Sequence, residues 1–211
     1  RLQKEKKKYI FHDFEIFEDI QMELDKEMLW DPDFDTVNCK DTENFFLFSV
    51  DVAEGNGGDY SVINVFEVVP MEEQYFDKLV SPGAMKDFFG YKQVARFSSN
   101  ERSIEDFAKI LYVLAIDIFH GENIKIVLEW NYNGALVMKH MQILFPQRND
   151  FDESMILRFK HRHDAKKVNY GLKVKKDNKV VFCQNFKKSV EQRKIILTDE
   201  DTITQFETFG K

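Results

Sequence analysis

The sequence predicts an α/β domain in which helices flank a mixed β-sheet. Three observations support this class: apolar segments of strand length separated by turn residues, one strongly amphipathic segment of helical length, and a buried strand that follows it directly. At 211 residues the chain is long enough to bury a substantial core and fits one large domain. We expect residues 45–211 to form that domain and residues 1–44 to be a linker or an appendage packed on its core.

The first three predicted strands form an antiparallel meander. Phe45–Val52 and Ser61–Val69 are apolar, rich in aromatic and β-branched residues, and free of proline. Glycines within residues 55–58 separate these two runs, which predicts a hairpin. After an irregular excursion, Tyr91–Ser98 has the alternating character of a third strand.

The clearest helical signal covers Ser103–Phe119. Its apolar residues recur at the three- and four-residue spacing of one buried helix face, and Ser103 is a capping residue at its start. Ile124–Leu128 is predicted to be a short buried strand that ends on Glu129. Because a strand–helix–strand crossover is right-handed, this strand is expected to lie parallel within the sheet. A further helix is predicted over Gly134–Leu144.

The remaining segments complete the predicted order of elements. Val180–Lys194 and Asp199–Phe209 have helical patterns with a short strand, Ile195–Leu197, between them, and Phe14–Leu29 could form an amphipathic helix of imperfect periodicity. A three-stranded antiparallel meander followed by helix, parallel strand and helix is the order of ribonuclease H-like folds. The sequence therefore predicts a ribonuclease H-like mixed sheet flanked by helices.

The formal net charge of −7 conceals a division between two parts of the chain. Residues 158–194 contain 13 Lys and Arg against 3 Asp and Glu, a net of +10, so the remainder carries −17. A charge run is usually a solvated face, but this density predicts contact with nucleic-acid phosphates. The candidate DNA-binding residues are Arg158, Lys160, Arg162, Lys166, Lys167, Lys173, Lys175, Lys176 and Lys179.

Several other classes of protein fit less well. No apolar run approaches the roughly 18 residues that span a bilayer, and no signal peptide is visible. Cys39 and Cys183 are lone thiols without metal-ligand spacing, a pattern typical of a reducing cytoplasm. The chain has no Gly-x4-Gly-Lys-Ser/Thr phosphate loop, and its glycine-rich turn joins two strands instead of opening a helix, which argues against both common nucleotide-binding loops.

Three acidic residues lie in or after the first predicted strand: Asp51, Glu54 and Asp59. An ionised carboxylate in a buried strand is costly unless it is paired, hydrated or bound to a cation. The simpler interpretation places Asp51 at the solvated end of the strand, where it caps the glycine-rich turn. The alternative is a cation site, which three acids within nine positions favour.

Glu129 supplies another carboxylate at the same edge of the predicted sheet. In this topology the strands that carry Asp51 and Glu129 are neighbours, although 78 positions separate the two residues. Taken alone, Glu129 is an exposed strand-end acid; beside Asp51 it would be repelled unless divalent cations lay between the two. Hard oxygen ligands suit Mg²⁺ or Mn²⁺. Two such ions about 4 Å apart can activate a water and stabilise the leaving oxygen during phosphodiester hydrolysis.

Three separated stretches, in order, resemble one protein family. They are SVDVAEGNGGDYSVINVF at residues 49–66, IKIVLEWNYNG at residues 124–134, and RKIILTDEDTITQFETFGK at residues 193–211. In these stretches the sequence looks like the C-terminal nuclease domain of tailed-phage terminase large subunits, the DNA-packaging motors. The resemblance covers about residues 45–211, and the segment before them would be the linker from an upstream ATPase domain.

This resemblance implies a Mg²⁺- or Mn²⁺-dependent endonuclease with two metal ions that cuts concatemeric double-stranded DNA during genome packaging. It implies that Asp51 is shared by both metals, that Glu129 is the second acid, and that Asp59 is an outer ligand or fixes the turn. The family's third catalytic Asp is expected beyond Lys211, so we expect a domain truncated at its C-terminus. Besides DNA, the implied partners are the portal protein, the small terminase subunit and the ATPase domain, in the host cytoplasm and without a membrane.

Two alternatives stay open on the sequence. One is another ribonuclease H-like nuclease, such as a resolvase or transposase core, which a Walker ATPase domain upstream of Arg1 would argue against. The other is a non-catalytic DNA- or protein-docking module of the same fold. Metal-dependent nicking of plasmid DNA would distinguish an enzyme from such a module.

Overall fold

The computed structural model describes residues 28–30, 45–70, 89–119, 123–144, 153–161 and 164–208. In these ranges the strands are β1 (Met28–Trp30), β2 (Phe45–Asp51), β3 (Ser61–Pro70), β4 (Phe89–Ser99), β5 (Ile124–Leu128), β6 (Arg158–His161), β7 (Asp164–Tyr170) and β8 (Ile195–Ile196). The α-helices are α1 (Ile104–Val113), α2 (Tyr132–Leu144), α3 (Lys176–Glu191) and α4 (Glu200–Thr208).

A mixed sheet forms the centre of the described part of the chain. Its strand order is β1-β4-β3-β2-β5, and β8 pairs with a different part of β4. β2, β3 and β4 form the predicted antiparallel meander, and β5 pairs parallel to β2. The predicted α/β class and mixed sheet are therefore confirmed. β6 and β7 form a separate antiparallel hairpin, which the lysine-rich sequence there did not predict.

The strand β1 lies in the segment predicted to be a linker or an appendage. It pairs antiparallel with β4, so this segment adds an edge strand to the sheet. Met28 and Leu29 are consequently in a strand and not at the end of a helix over Phe14–Leu29. The weak helical periodicity there yields to tertiary strand pairing. The rest of that predicted helix lies outside the described residues.

The helix α1 begins where the sequence predicts. The backbone N–H of Asp106 donates to Oγ of Ser103 over 3.1 Å, which caps the first turn. The predicted helix continues to Ile118, but its last turn, Leu114–Ile118, is π-helical. There the N–H of Phe119 donates to the carbonyl of Leu114, five residues earlier.

The hydrophobic core lies against one face of the sheet. On β2, the alternate residues Phe46, Phe48 and Val50 are buried. The ring of Phe119, at the end of the helical segment, packs edge-on against Phe46 and Phe48, with centroids 4.8 and 5.2 Å away. Because strand side chains alternate between the two faces, Asp51 lies on the opposite face.

That opposite face is polar near its centre. In the register of the sheet, Asp51 pairs with Val62 of β3, and Val62 pairs with Ser98 of β4. In the neighbouring row, Asn64 of β3 pairs with Arg96 of β4. A polar surface therefore crosses three strands, from Asp51 to Arg96.

Among the helices that the structure describes, none is both long and apolar enough to cross a bilayer. The longest, α3, has 16 residues and carries several lysines.

A carboxylate cleft at the ends of two parallel strands

Asp51 and Glu129 lie side by side at the carboxyl ends of β2 and β5. The parallel register places Val50 next to Leu128, so the following residues of each strand are neighbours. The backbone N–H of Glu129 donates to the carbonyl of Val50 over 2.8 Å, which continues the pairing by one residue. The charge of Asp51 lies close enough to Glu129 to raise the pKa of the Glu129 carboxyl group. The convergence that the topology predicted is present in the structure.

Backbone contacts hold the end of β5 on both sides. A Cβ on Gly134 would overlap the carbonyl oxygen of Glu129, and a Cβ on Gly171 would overlap that of Leu128. On the edge of β5 away from β2, the N–H of Leu172 donates to the carbonyl of Leu128 over 2.7 Å. Only glycine permits these approaches, so the two glycines help to determine where the Glu129 carboxylate lies.

The glycine-rich turn after β2 is anchored to the start of α1. The N–H of Gly57 donates to the carbonyl of Asn100 over 2.8 Å, and Nδ2 of Asn100 donates to the carbonyl of Gly57 over 3.3 Å. Gly55 has a φ of +68°, and a Cβ there would overlap the carbonyl oxygen of Arg102. The turn thus depends on glycine for both its conformation and its packing.

A cleft of about 1360 Å³ opens over the polar face of the sheet. Its charged lining consists of five carboxyl groups against two cations, an excess of three negative charges when all five are ionised. Such a cleft repels a phosphodiester unless cations neutralise it. The charged lining residues are Asp51, Glu54, Asp59, Glu129, Asp201, Arg96 and Lys179.

The electrostatic environment of the cleft perturbs the pKa of Glu129. Burial raises the pKa of Glu129 to about 7 from an ordinary value of 4.5, with a further contribution from the charge of Asp51. The nearby Lys179 acts in the opposite direction and lowers this pKa. A carboxyl group that titrates near neutral pH in a cleft is a marker of a functional site.

The other acids of the first motif lie in the same cleft. Asp59 is exposed and lines it, as does Glu54. Oε2 of Glu54 accepts a hydrogen bond of 3.1 Å from the side chain of Asn56, within the turn. Glu54 therefore belongs to the turn structurally, and the role of Asp59 as an outer ligand stays a prediction.

Only some of the predicted DNA-binding residues lie near the carboxylates. Lys179, in the first turn of α3, lines the cleft. Lys173, Lys175 and Lys176 are exposed at the start of the same helix, and the guanidinium of Arg158 lies 5.1 Å from the ring centre of Tyr170. Lys160, Lys166 and Lys167 belong to the β6–β7 hairpin, and Arg162 lies outside the described residues.

Sequence reasoning missed a second polar cluster on this face. Gln93 and Arg96 of β4 are buried, and both bond to the segment that leads into α4. Oε1 of Gln93 accepts hydrogen bonds of 3.2 Å from the N–H groups of Thr198 and Asp199, and its Nε2 donates to Oδ1 of Asn64 over 2.9 Å. A buried Gln and Arg within the apolar stretch YKQVARFS were the available signal, since such groups require partners.

The donor atoms at the strand ends fit a divalent metal ion. Asp51 and Glu129 offer hard carboxylate oxygens, which Mg²⁺ and Mn²⁺ prefer, and Asn131 and Asn133 line the same cleft. Within the part of the chain that the structure describes, no group of three or more His, Cys, Asp and Glu is arranged to hold a metal ion. The fit therefore rests on the pair of carboxylates.

Comparison with known proteins does not add to this picture. No protein-family model matches the chain, and no curated protein matches it in sequence. The resemblance to terminase nuclease domains thus stays a prediction, and the function is argued from the geometry of the cleft.

Proposed function

We propose that this chain is a Mg²⁺- or Mn²⁺-dependent endonuclease domain that hydrolyses phosphodiester bonds of double-stranded DNA. The observation that carries the proposal is the adjacency of Asp51 and Glu129 at the ends of two parallel strands, inside an open cleft. Two adjacent carboxylates with a pKa raised to about 7 on one of them favour a bound cation over an empty site.

In this proposal Asp51 and Glu129 hold the metal ions. When bound, such ions act as Lewis acids that activate water and stabilise charge on the leaving oxygen. Lys179 presents a positive charge beside Glu129 for a substrate phosphate. Because the cleft carries excess negative charge, bound cations must neutralise that charge before DNA can enter.

The narrower proposal is the nuclease domain of a viral terminase large subunit, which cuts concatemeric DNA during genome packaging in the host cytoplasm. Three motifs in order support it, and the strand order β4-β3-β2-β5 is compatible with a ribonuclease H-like fold. Its partners would be an upstream ATPase domain, the portal protein and the small terminase subunit. The third catalytic Asp that the family resemblance implies is also part of this narrower proposal.

The test combines metal binding with DNA cleavage. Mn²⁺ affinity is measured by calorimetry, and nicking of supercoiled plasmid is followed in Mg²⁺, Mn²⁺ or EDTA, with any residues that follow Lys211 in the gene included. Asp51→Asn and Glu129→Gln should each lower the cleavage rate at least about 100-fold, since loss of a direct ligand costs more than loss of an outer partner. Each should also weaken Mn²⁺ binding.

The matched control is Glu101→Gln, which removes an exposed carboxylate that does not line the cleft. It should leave both Mn²⁺ affinity and cleavage unchanged. Cleavage that persists in Asp51→Asn would contradict the proposal. Metal-independent DNA binding without cleavage in the unsubstituted protein would favour the docking module instead.

A further inference from the structure

Arg96 is a buried cation that reaches the cleft from the side opposite Lys179. It lies on β4, two strands away from Asp51, while Lys179 lies beside Glu129 beyond the other edge of β2. Both line the same cleft. The two positive charges therefore flank the carboxylate pair, so that DNA held at the carboxylates would come within reach of both.

The guanidinium of Arg96 has donor capacity to spare. Nη1 donates to Asp199 over 3.2 Å and to Asp201 over 3.4 Å, and Nη2 donates to Oγ of Ser98 over 3.4 Å. A guanidinium carries five N–H donors. Two of the five thus have no acceptor among the residues that the structure describes, and the side chain lines the cleft that holds the carboxylate pair.

The two carboxylates that pair with Arg96 are not equivalent. Asp199 is nearly buried, with 9% of its side chain exposed, and its Oδ2 also accepts the N–H of Thr202 over 2.8 Å. Asp201 has 74% of its side chain exposed and makes the longer contact. Asp199 therefore holds the guanidinium in place, whereas Asp201 can leave at small cost because water solvates its released charge.

We infer that Arg96 is a phosphate-binding residue of the cleft and that it exchanges its contact with Asp201 for a phosphodiester oxygen when DNA enters. Asp199 keeps the guanidinium oriented during the exchange. Arginine suits this role because its planar fork binds two phosphate oxygens at once. The inference rests on the proposed function for the identity of the ligand, a DNA phosphodiester.

The test measures the affinity for a short fluorescent DNA duplex in EDTA. The background carries Asp51→Asn and Glu129→Gln, so that neither metal binding nor cleavage contributes. In this background Asp201→Asn should raise the affinity about fivefold and steepen the salt dependence by about one phosphate contact, because the competing carboxylate is gone. Asp201 is exposed, so this variant should fold normally, which urea unfolding checks.

Glu200→Gln is the matched control. It removes an equal charge one residue away, from an exposed side chain that does not line the cleft. Equal affinities for Asp201→Asn and Glu200→Gln would overturn the inference, because the gain would then be unspecific. The gain should also vanish when Arg96→Lys is added, since lysine lacks the fork; a gain that persists would overturn the inference as well.

The readout separates this inference from the proposed function. If the proposed function were wrong, the unsubstituted protein would show no metal-dependent cleavage, yet Asp201→Asn would still bind DNA more tightly than Glu200→Gln. If the inference were wrong, cleavage would depend on Asp51 and Glu129, and the two affinities would be equal.

Discussion

Two polar clusters share one face of the sheet, and the chain positions them by opposite means. Asp51 and Glu129 are placed by the backbone: strand pairing, the N–H of Glu129 on Val50, and close approaches at glycines. Gln93 and Arg96 are placed by their own side chains, which bond to the segment leading into α4. In the first cluster like charges meet; in the second, opposite charges and amide groups satisfy one another.

This difference distinguishes the first cluster, a candidate site, from the second, which is a structural contact between β4 and the segment leading into α4. Side chains whose donors and acceptors are all used by the fold are unavailable to a ligand, whereas carboxylates that the backbone positions can still turn oxygens towards one. The first cluster consequently has a perturbed pKa at Glu129, and the second stabilises the attachment of α4 to β4. Arg96 belongs to both descriptions, because one of its two carboxylate partners is exposed.

The largest expected effect on stability comes from removing the Asp199 side chain. Asp199→Ala removes the buried partner of Arg96 and the acceptor for the N–H of Thr202, so the free energy of unfolding should fall by about 3 kcal/mol. Asp201→Ala removes the exposed partner and should cost less than about 0.5 kcal/mol. Urea unfolding monitored by circular dichroism measures both. Equal losses would mean that burial does not distinguish the two carboxylates.

An effect of similar size tests backbone control at the carboxyl end of β2. Gly55 and Gly57 both have positive φ, but only at Gly55 would a Cβ overlap a neighbour, the carbonyl oxygen of Arg102. Gly57→Ala should cost about 1 kcal/mol from backbone strain, and Gly55→Ala about 2 kcal/mol more from overlap. Thermal or urea unfolding of the pair supplies the comparison. Identical losses would show that packing against the start of α1 is unimportant.

The smallest effect concerns the titration of Glu129 in the metal-free protein. Asp51→Asn should lower the pKa of Glu129 from about 7 towards 4.5, because the charge of Asp51 is removed while burial stays. Carbon-13 NMR of the Glu side chains measures this shift. An unchanged pKa would mean that burial alone causes it and that the two carboxylates do not interact.

The same titration determines a pH dependence of stability. The folded protein keeps a proton on Glu129 that the unfolded chain loses above pH 4.5, so stability is lost as the pH rises from about 4.5 to about 7. Asp51→Asn should narrow that window, and Glu129→Gln should remove this contribution. Urea unfolding at pH 5 and pH 8 (values that bracket the titration of Glu129) compares the three proteins.

Much of the sheet was predictable because burial leaves a local pattern. Alternating and apolar runs predicted β2 to β5 to within about two residues at each end. The helical crossover predicted that β5 lies parallel within the sheet, and the ribonuclease H-like order of elements placed it beside β2, which predicted that Asp51 and Glu129 are neighbours. β1 and the β6–β7 hairpin carried no comparable signal, since neither segment has the strict alternation of a half-buried strand.

The sequence by itself therefore determined the pair of carboxylates at neighbouring strand ends. Only the tertiary structure decided what surrounds them: which lysine reaches the cleft, and that Arg96 meets Asp199 and Asp201 across more than 100 positions. The physical reason is the sequence separation of the interacting residues. Periodic burial produces a pattern in consecutive residues. A hydrogen bond between polar side chains that are distant in sequence produces no pattern in either of the two segments.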